Sequence, residues 1–363
     1  MIIVTILCVA FQLLYLSFSE AFAENNQTNE SPKPSSIEVH FIDVGQADAA
    51  LVLCDGESLL IDGGNTNDSS LIYSYLRDNG IDHLNYIVCT HAHEDHVGGL
   101  AGALNYATVG AVYCSVAEDE TRAFKSFLKY LGNQGVRITI PSAGDSFPLG
   151  SAQVTIIGPI KQNANHNNIS LVLRITFGKV SFLFTGDAER EEEQDILNTG
   201  FPLQSTVLKV GHHGSANSTI YPFLRKVMPQ YAVISVGENN LYGFPSEDTL
   251  SRLQDADVTL YRTDMQGNII CTSDGESVLF SVQRNVDANT FELFTNESGV
   301  SIPHNAFPPG TTYILNTNTH KFHSPSCPSV ASMSEKNTSY FFGTYDEAIS
   351  LGYLPCGNCN PSN

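Results

Sequence analysis

A short apolar run, Tyr86-Ile87-Val88-Cys89, breaks off into Thr90-His91-Ala92-His93-Glu94-Asp95-His96 and then Val97-Gly98-Gly99. Few stretches limit a fold so tightly. The run reads as a strand, so five ionisable side chains, His91, His93, Glu94, Asp95 and His96, must emerge together at its end. Two histidines two apart at a strand end can face one ion, and Asp95 and His96 can reach a neighbouring one. Imidazole plus carboxylate suits zinc. The spacing does not place the histidines on one helix face, as the helical H-E-x-x-H motif does. Alone, the stretch also reads as a polar surface loop or an adventitious metal tract.

The rest of the chain supplies a body to hold this loop. Over 363 residues, 42% of them hydrophobic, there is room for about two domains with a full core. From Glu38 to about Gln283, short apolar runs alternate with amphipathic stretches. Strands are expected at IEVHFIDV, ALVLC, SLLID, YIVCT, AVYCS, QVTII, SLVLRITF, VSFLFTG, TVLKV and YAVISV. Helices are expected over 69–78, 119–131, 188–197, 221–227 and 246–254. Such mixing implies an α/β body of two sheets, or one large sheet, with helices outside. Cys54, Cys89, Cys114 and Cys271 sit singly in apolar runs and read as small core hydrophobes.

Three further pieces share the logic of the first. Asp187 closes the strand-turn LFTGD and reads either as a ligand or as an N-cap for the helix behind it. In LKVGHHGS the adjacent His212 and His213 cannot easily face one metal together, so one is expected as ligand and the other toward substrate. Asp62, ending the run SLLID, is placed to orient the His91–His96 loop through hydrogen bonds.

Taken in order, H-x-H-x-D-H, a His ahead of a Ser-containing strand, T-G-D and G-H-H-G-S resemble the metallo-β-lactamase fold superfamily. The opening HFIDVGQADAALV and the run KVGHHGS resemble the branch typified by the extracytoplasmic domain of the competence protein ComEC. Secreted choline esterases of teichoic acid carry a similar body. The resemblance covers about Glu38 to Gln283 and implies a four-layer αββα sandwich with metals at one edge. It assigns His91, His93 and His166 to a first zinc, and Asp95, His96 and His213 to a second, with Asp187 bridging. Manganese is an alternative to the two catalytic zincs. Asp95 and His212 are then the catalytic candidates, His212 being free to meet substrate or leaving group. Phe244, in YGFPS, stands where relatives commonly carry a His before the Pro. Such a site needs no Ser or Cys nucleophile, since two cations lower the pKa of a shared water.

The tail has its own logic. His323 and Cys327 face a Cys356-Gly-Asn-Cys359 hairpin, a set that makes a closed tetrahedral structural zinc site. About fifty residues build little core, so a metal staple is expected. A disulfide is the alternative, but three cysteines pair badly. His320 competes with His323. The pattern K-F-H-x-P-x-C…G-Y-x-P-C-x-x-C resembles the Ada-type metal-binding module, here with a His in place of a fourth Cys.

The expected organisation is thus a signal segment over 1–23, a linker over 24–36 and a hydrolase body over 37–284. A second linker over 285–310 and the metal module over 311–361 follow. Ala21-Phe22-Ala23 fits a cleavage site, implying a secreted protein, or one anchored at the outer membrane face if the segment is retained. With 18 basic against 38 acidic residues the formal charge is −20, which leaves no basic patch for passive capture of nucleic acid. Bound divalent metals would reverse that sign locally. The leading expectation is a secreted binuclear zinc phosphodiesterase or nuclease, with extracellular DNA as first substrate. The alternatives are hydrolysis of another ester or amide (cell-wall phosphocholine ester, lactone, β-lactam) and a non-catalytic extracellular binding protein that keeps the metals.

Overall fold

The computed structural model describes residues 35–293 and, between 313 and 361, a set of short strands, turns and one helix. The expected signal segment and the linker behind it, up to residue 34, lie outside the described residues, as do residues 294–312.

In the body, strands β1 (Ile37–Phe41), β2 (Ala50–Cys54), β3 (Glu57–Ile61), β4 (His83–Cys89), β5 (Thr108–Cys114) and β6 (Ile138–Thr139) lie side by side. Two late strands, β14 (Ile269–Ser273) and β15 (Val278–Val282), extend this sheet beyond β1. The second sheet runs from β7 (Ser146–Leu149) through β8 (Ala152–Gly158), β9 (Val172–Phe177) and β10 (Val180–Phe184). It continues with β11 (Val207–Lys209), β12 (Tyr231–Ile234) and β13 (Thr259–Arg262). Each sheet is antiparallel in one half and parallel in the other: β3–β6 in the first, β10–β13 in the second.

The alternation along the strands explains why the sheets stack. On β4, Val88 points to the inter-sheet core while Ile87 and Cys89 point to the outer helices. On β10, Phe182 and Phe184 point inward and Leu183 outward. Strands apolar on both faces must be covered twice. The helices Ser69–Asp78, Leu100–Tyr106 and Arg122–Gln134 cover the first sheet through Ile72, Leu76, Leu100, Phe124 and Phe127. Ile196, Phe223, Leu224 and Leu253 cover the second from the helices Arg190–Leu197, Tyr221–Val227 and Glu247–Asp255. The result is the expected αββα sandwich.

The helix Arg122–Gln134 shows the local causes. The Thr121 side chain accepts from the Phe124 N–H at its start, and Gly135 (φ 71°) takes the left-handed conformation that stops it. Between them Phe124, Phe127 and Leu131 form one buried stripe. Phe127→Ala would cost about 3–5 kcal/mol by cavity formation.

The sequence patterns located ten of these strands; β6, β7 and β13–β15 escaped them. The body also runs past residue 284, its expected end, into the expected linker over 285–310. Fully buried Arg262 pairs with Asp264 (2.6 Å) and donates to the carbonyls of Thr290 (3.1 Å) and Glu292 (2.6 Å). A buried guanidinium with more donors than one carboxylate can satisfy holds residues 290–292 against the body.

The tail forms a four-stranded sheet from Tyr313–Asn316, Lys321–His323, Thr338–Phe341 and Leu354–Pro355, with a helix over Tyr345–Ser350. Its buried core is small: Tyr313, Ile314, Leu315, Phe322 and Ala348 among the described residues.

Candidate metal centre

The parallel halves of the two sheets end at the same edge, where ligands of open α/β sheets gather. Asp62 follows β3, the His91–His96 loop follows β4, Asp187 follows β10, and His212-His213 follow β11. The loop is held by its backbone. Gly63 donates to the His96 carbonyl (2.7 Å), Gly99 to that of Gly64 (3.1 Å) and Asp48 to that of Asp95 (3.0 Å). A Cβ on Gly99 would collide with the Gly63 carbonyl oxygen, so the glycine after H-V-G allows the two loops to touch.

His91, His93 and Asp187 form one donor group, and Asp95, His96, Asp187 and His213 a second. Asp187 belongs to both. It is 2% exposed and precedes the helix cap at Glu189, so it does not itself cap the helix. Nε2 of His91 lies 3.0 Å from Nδ1 of His93 and 3.8 Å from Oδ2 of Asp187. In the second group, Nε2 of His96 is 3.3 Å from Asp187, and Nε2 of His213 is 3.3 Å from Asp95 and 3.8 Å from Asp187. Two donors about 2.1 Å from one tetrahedral ion stand about 3.4 Å apart, so these spacings fit zinc. Nε2 of His96, Nε2 of His213 and Oδ1 of Asp187 are buried and have no hydrogen-bond partner. Such atoms inside a protein call for a cation.

The opposite ring nitrogens are tied back. Asp62 accepts from Nδ1 of His96 (2.8 Å) and from the Thr90 N–H and hydroxyl (2.7 and 2.8 Å). The Ser235 carbonyl accepts from Nδ1 of His213 (3.0 Å). Ser170 Oγ lies 3.3 Å from Nδ1 of His91 and accepts from the Asp187 N–H (3.1 Å). Each tie aims the free Nε2 at the common centre.

Electrostatics agree. Burial would strip the proton from His96, but Asp187, Asp62 and Asp95 overcome it and raise its pKa well above the usual range. Against the same burial penalty, Asp187 and Asp48 push His213 up to about 10. Asp187 is held well below the carboxylate range: His212, His96 and His213 outweigh its burial. His91, by contrast, is driven well down by burial and by the charge on His96. The cluster is built around positive charge, which a metal ion supplies in place of protons.

One placement departs from expectation. His166 opens a single 3-10 turn, His166–Ile169, and its ring stacks beside His93 at 5.8 Å, outside the donor group. The turn buries Asn167 and Asn168 instead. Glu94, not among the expected ligands, is exposed. His212 stands beside the cluster, with Nε2 3.6 Å from Asp187 and Nδ1 3.4 Å from Glu189. Both histidines of the pair have positive φ (49° and 51°), a strained backbone of order 1–3 kcal/mol per residue that directs them to different targets.

Sequence reasoning missed Asp48, Lys209 and Glu189. Lys209 donates to Asp48 (2.9 Å), both buried, and Asp48 lies 3.3 Å from Nδ1 of His213. Glu189 accepts from the side-chain amides of Asn165 (2.9 Å) and Asn167 (3.0 Å). The signal for Asp48 and Lys209 was present: one lies in GQADAALV and the other directly precedes VGHHGS.

In the tail, His323, Cys327, Cys356 and Cys359 converge as a closed set of four donors. The parallel pairing of 321–322 with 354–355 brings them together, and Cys356 donates its N–H to the Phe322 carbonyl (2.9 Å). Nε2 of His323 is buried without a hydrogen-bond partner. His320 is exposed and stacks on Tyr353 at 5.5 Å, apart from the set.

Fold, donor groups and motifs together define a protein of the metallo-β-lactamase superfamily of metal-dependent hydrolases. The family model described as metallo-beta-lactamase superfamily matches residues 42–238, and the chain belongs to that family. A second model, the metal binding domain of Ada, matches residues 303–362. Among the relatives the chain resembles are proteins named for competence and recombination. It is 32% identical over 256 residues to ComE operon protein 3 of Bacillus subtilis, covering 64% of this chain and 32% of that protein. To Recombination protein 2 of Haemophilus influenzae it is 31% identical over 239 residues, 64% of this chain and 28% of the relative. The chain thus spans about a third of the length of these curated relatives. Among solved structures, the metallo-beta-lactamase fold protein YhfI from Bacillus subtilis matches at 12% identity and a TM-score of 0.46, covering 66% of this chain and 100% of that one.

Proposed function

We propose that the body is a two-metal phosphodiesterase whose first substrate is DNA, working outside the cytoplasm as the apolar leader suggests. The observation that carries this reading is the pair of donor groups sharing Asp187, in which Nε2 of His96, Nε2 of His213 and Oδ1 of Asp187 are buried without hydrogen-bond partners. Bound there, two divalent cations, zinc by donor type, would supply Lewis acidity toward a phosphoryl oxygen and acidify water. The chain's own residues do the positioning. Asp62 and the Ser235 carbonyl fix the tautomers of His96 and His213. Asp95, with 31% of its side chain exposed, can meet an incoming water or substrate. His212 lies between Asp187 and Glu189, where it can hold a proton for a leaving oxygen. The competence and recombination proteins among the relatives favour DNA as the polymer.

The test uses the purified, zinc-loaded chain with linear DNA, bis(p-nitrophenyl) phosphate, a lactone and a cephalosporin, beside Asp187→Ala. The reading expects phosphodiester cleavage, about three zincs per chain counting the tail, and a loss on the order of 10³-fold in Asp187→Ala. Turnover of the cephalosporin or lactone alone would overturn it.

A further inference from the structure

The loop from Gly237 to Phe244, between β12 and the helix Glu247–Asp255, carries more order than its exposure suggests. The single side chain of Asn240 clasps it. Its Nδ2 donates to the carbonyls of Gly237 (2.9 Å) and Phe244 (2.7 Å), and its Oδ1 accepts from the N–H groups of Tyr242 (3.1 Å) and Phe244 (3.0 Å). Gly237 in turn donates to the Gln46 side chain (3.1 Å), which ties the loop to the opposite sheet's edge.

On this clasped frame the aromatic rings form a ladder. Phe244 is buried with its ring 5.6 Å from that of His212, edge to face, and Tyr242 stacks on Phe244 at 5.6 Å and 17°. The ladder thus runs from a histidine 3.6 Å from Asp187 to a tyrosine that is 51% exposed. Leu241, beside it, is 79% exposed. Single exposed apolar residues need no explanation. Two on a loop fixed by four hydrogen bonds, one of them two ring steps from His212, are pre-organised for a flat ligand.

Charge narrows the occupant. A chain of formal charge −20 offers little phosphate neutralisation beyond its metals, so a polyanion must be held partly by contacts that ignore charge. Base stacking on an aromatic ring is such a contact. We propose that Tyr242, backed by Phe244 and fixed by Asn240, is the stacking platform for the nucleobase beside the scissile phosphodiester. It makes the enzyme prefer single-stranded, base-bearing substrate. This inference rests on the phosphodiesterase reading and names the substrate feature which that site selects.

The test compares the zinc-loaded wild-type chain, Tyr242→Leu and Tyr242→Phe on a single-stranded oligodeoxynucleotide and on an abasic oligomer of the same length. Wild type and Tyr242→Phe should favour the base-bearing strand in KM by on the order of 10-fold or more, and Tyr242→Leu should bring the ratio toward one. Binding of a phosphorothioate strand carrying 2-aminopurine gives a readout apart from turnover: wild type and Tyr242→Phe quench its fluorescence, Tyr242→Leu does not. An unchanged KM ratio in Tyr242→Leu, or equal quenching by all three proteins, overturns the inference. If the wild type cleaves no phosphodiester, the functional reading falls, and quenching alone then decides whether Tyr242 stacks a base.

Discussion

The donor clusters of the body and of the tail solve different problems. In the body, two and three side chains share one carboxylate, Asp187, and every donor is an imidazole or a carboxylate. In the tail, four donors of which three are thiols converge with none to spare. The body's three-donor group of His91, His93 and Asp187 leaves a coordination position open and can act on a substrate, and a lone set that closes the tetrahedron, as in the tail, holds structure. Their surroundings differ accordingly. The body's cluster stands on the ends of strands buried in three hydrophobic cores, whereas the tail's core is a handful of residues. The body positions its metals, and the tail depends on its metal.

The largest expected effect follows from that dependence. Cys356→Ser should cost the tail most of its folding free energy, on the order of 10 kcal/mol of metal binding. Zinc content should fall by one per chain, and limited proteolysis should remove the tail while the body resists. Retention of all zinc would break the contrast. A second effect separates the two by pH. Glu193, buried in the helix Arg190–Leu197, accepts from the N–H groups of Thr219 (2.5 Å) and Ile220 (2.8 Å), and burial pushes its pKa up to about 8. The folded body therefore binds a proton that the unfolded chain releases near pH 4.5, so raising pH from about 5 to 9 removes stability, by roughly 3–4 kcal/mol. The tail's thiolate ligands need the reverse, because acid protonates them and releases metal. Hydrogen exchange of the two regions across pH should show opposite trends. Glu193→Gln should flatten the body's trend while lowering stability at pH 5, since one amide hydrogen then faces a backbone N–H.

The contrast was largely legible in the sequence, for a physical reason. Metal donors must be particular residue types at strand ends, so H-A-H-E-D-H, T-G-D and C-G-N-C announce themselves. The buried alternation of β4 and β10 likewise marks strands covered on both faces. What escaped were choices made by packing rather than by residue type. His166 looks like a ligand by order along the chain, but a one-turn helix buries its neighbours and leaves it beside His93. Glu189 resembles any acidic helix start until Asn165, Asn167 and His212 are folded around it. β15 and the segment pinned by Arg262 carry weak patterns because partly exposed strands and backbone carbonyl acceptors leave little trace in sequence.

A smaller effect sharpens the body's side of the comparison. Asp62→Ala removes the acceptor of Nδ1 of His96 and of both Thr90 donors without removing a metal donor of either shared-Asp187 group. Metal affinity should fall 10–100-fold, as for other ligands that lose their orienting carboxylate. Titration with a competing chelator measures it, and unchanged affinity would mean that the loop is oriented by its backbone bonds alone.

The smallest expected effect separates two histidines three residues apart in the tail. His320 has a left-handed backbone (φ 50°), lies exposed against Tyr353, and accepts at its carbonyl from the Leu354 N–H (2.8 Å). The carbonyl bond survives any side-chain change, so His320→Asn, which tolerates that φ, gives up only the ring contact, about 0.5–1 kcal/mol. His323 is buried with its Nε2 unpaired and its Nδ1 3.5 Å from Cys327 Sγ. His323→Asn should therefore release the tail's zinc while His320→Asn keeps it, with metal analysis of both variants as the check. Loss of zinc from His320→Asn alone would move the fourth donor across the strand, and with it the claim that the tail's set is closed by the residue the strand buries.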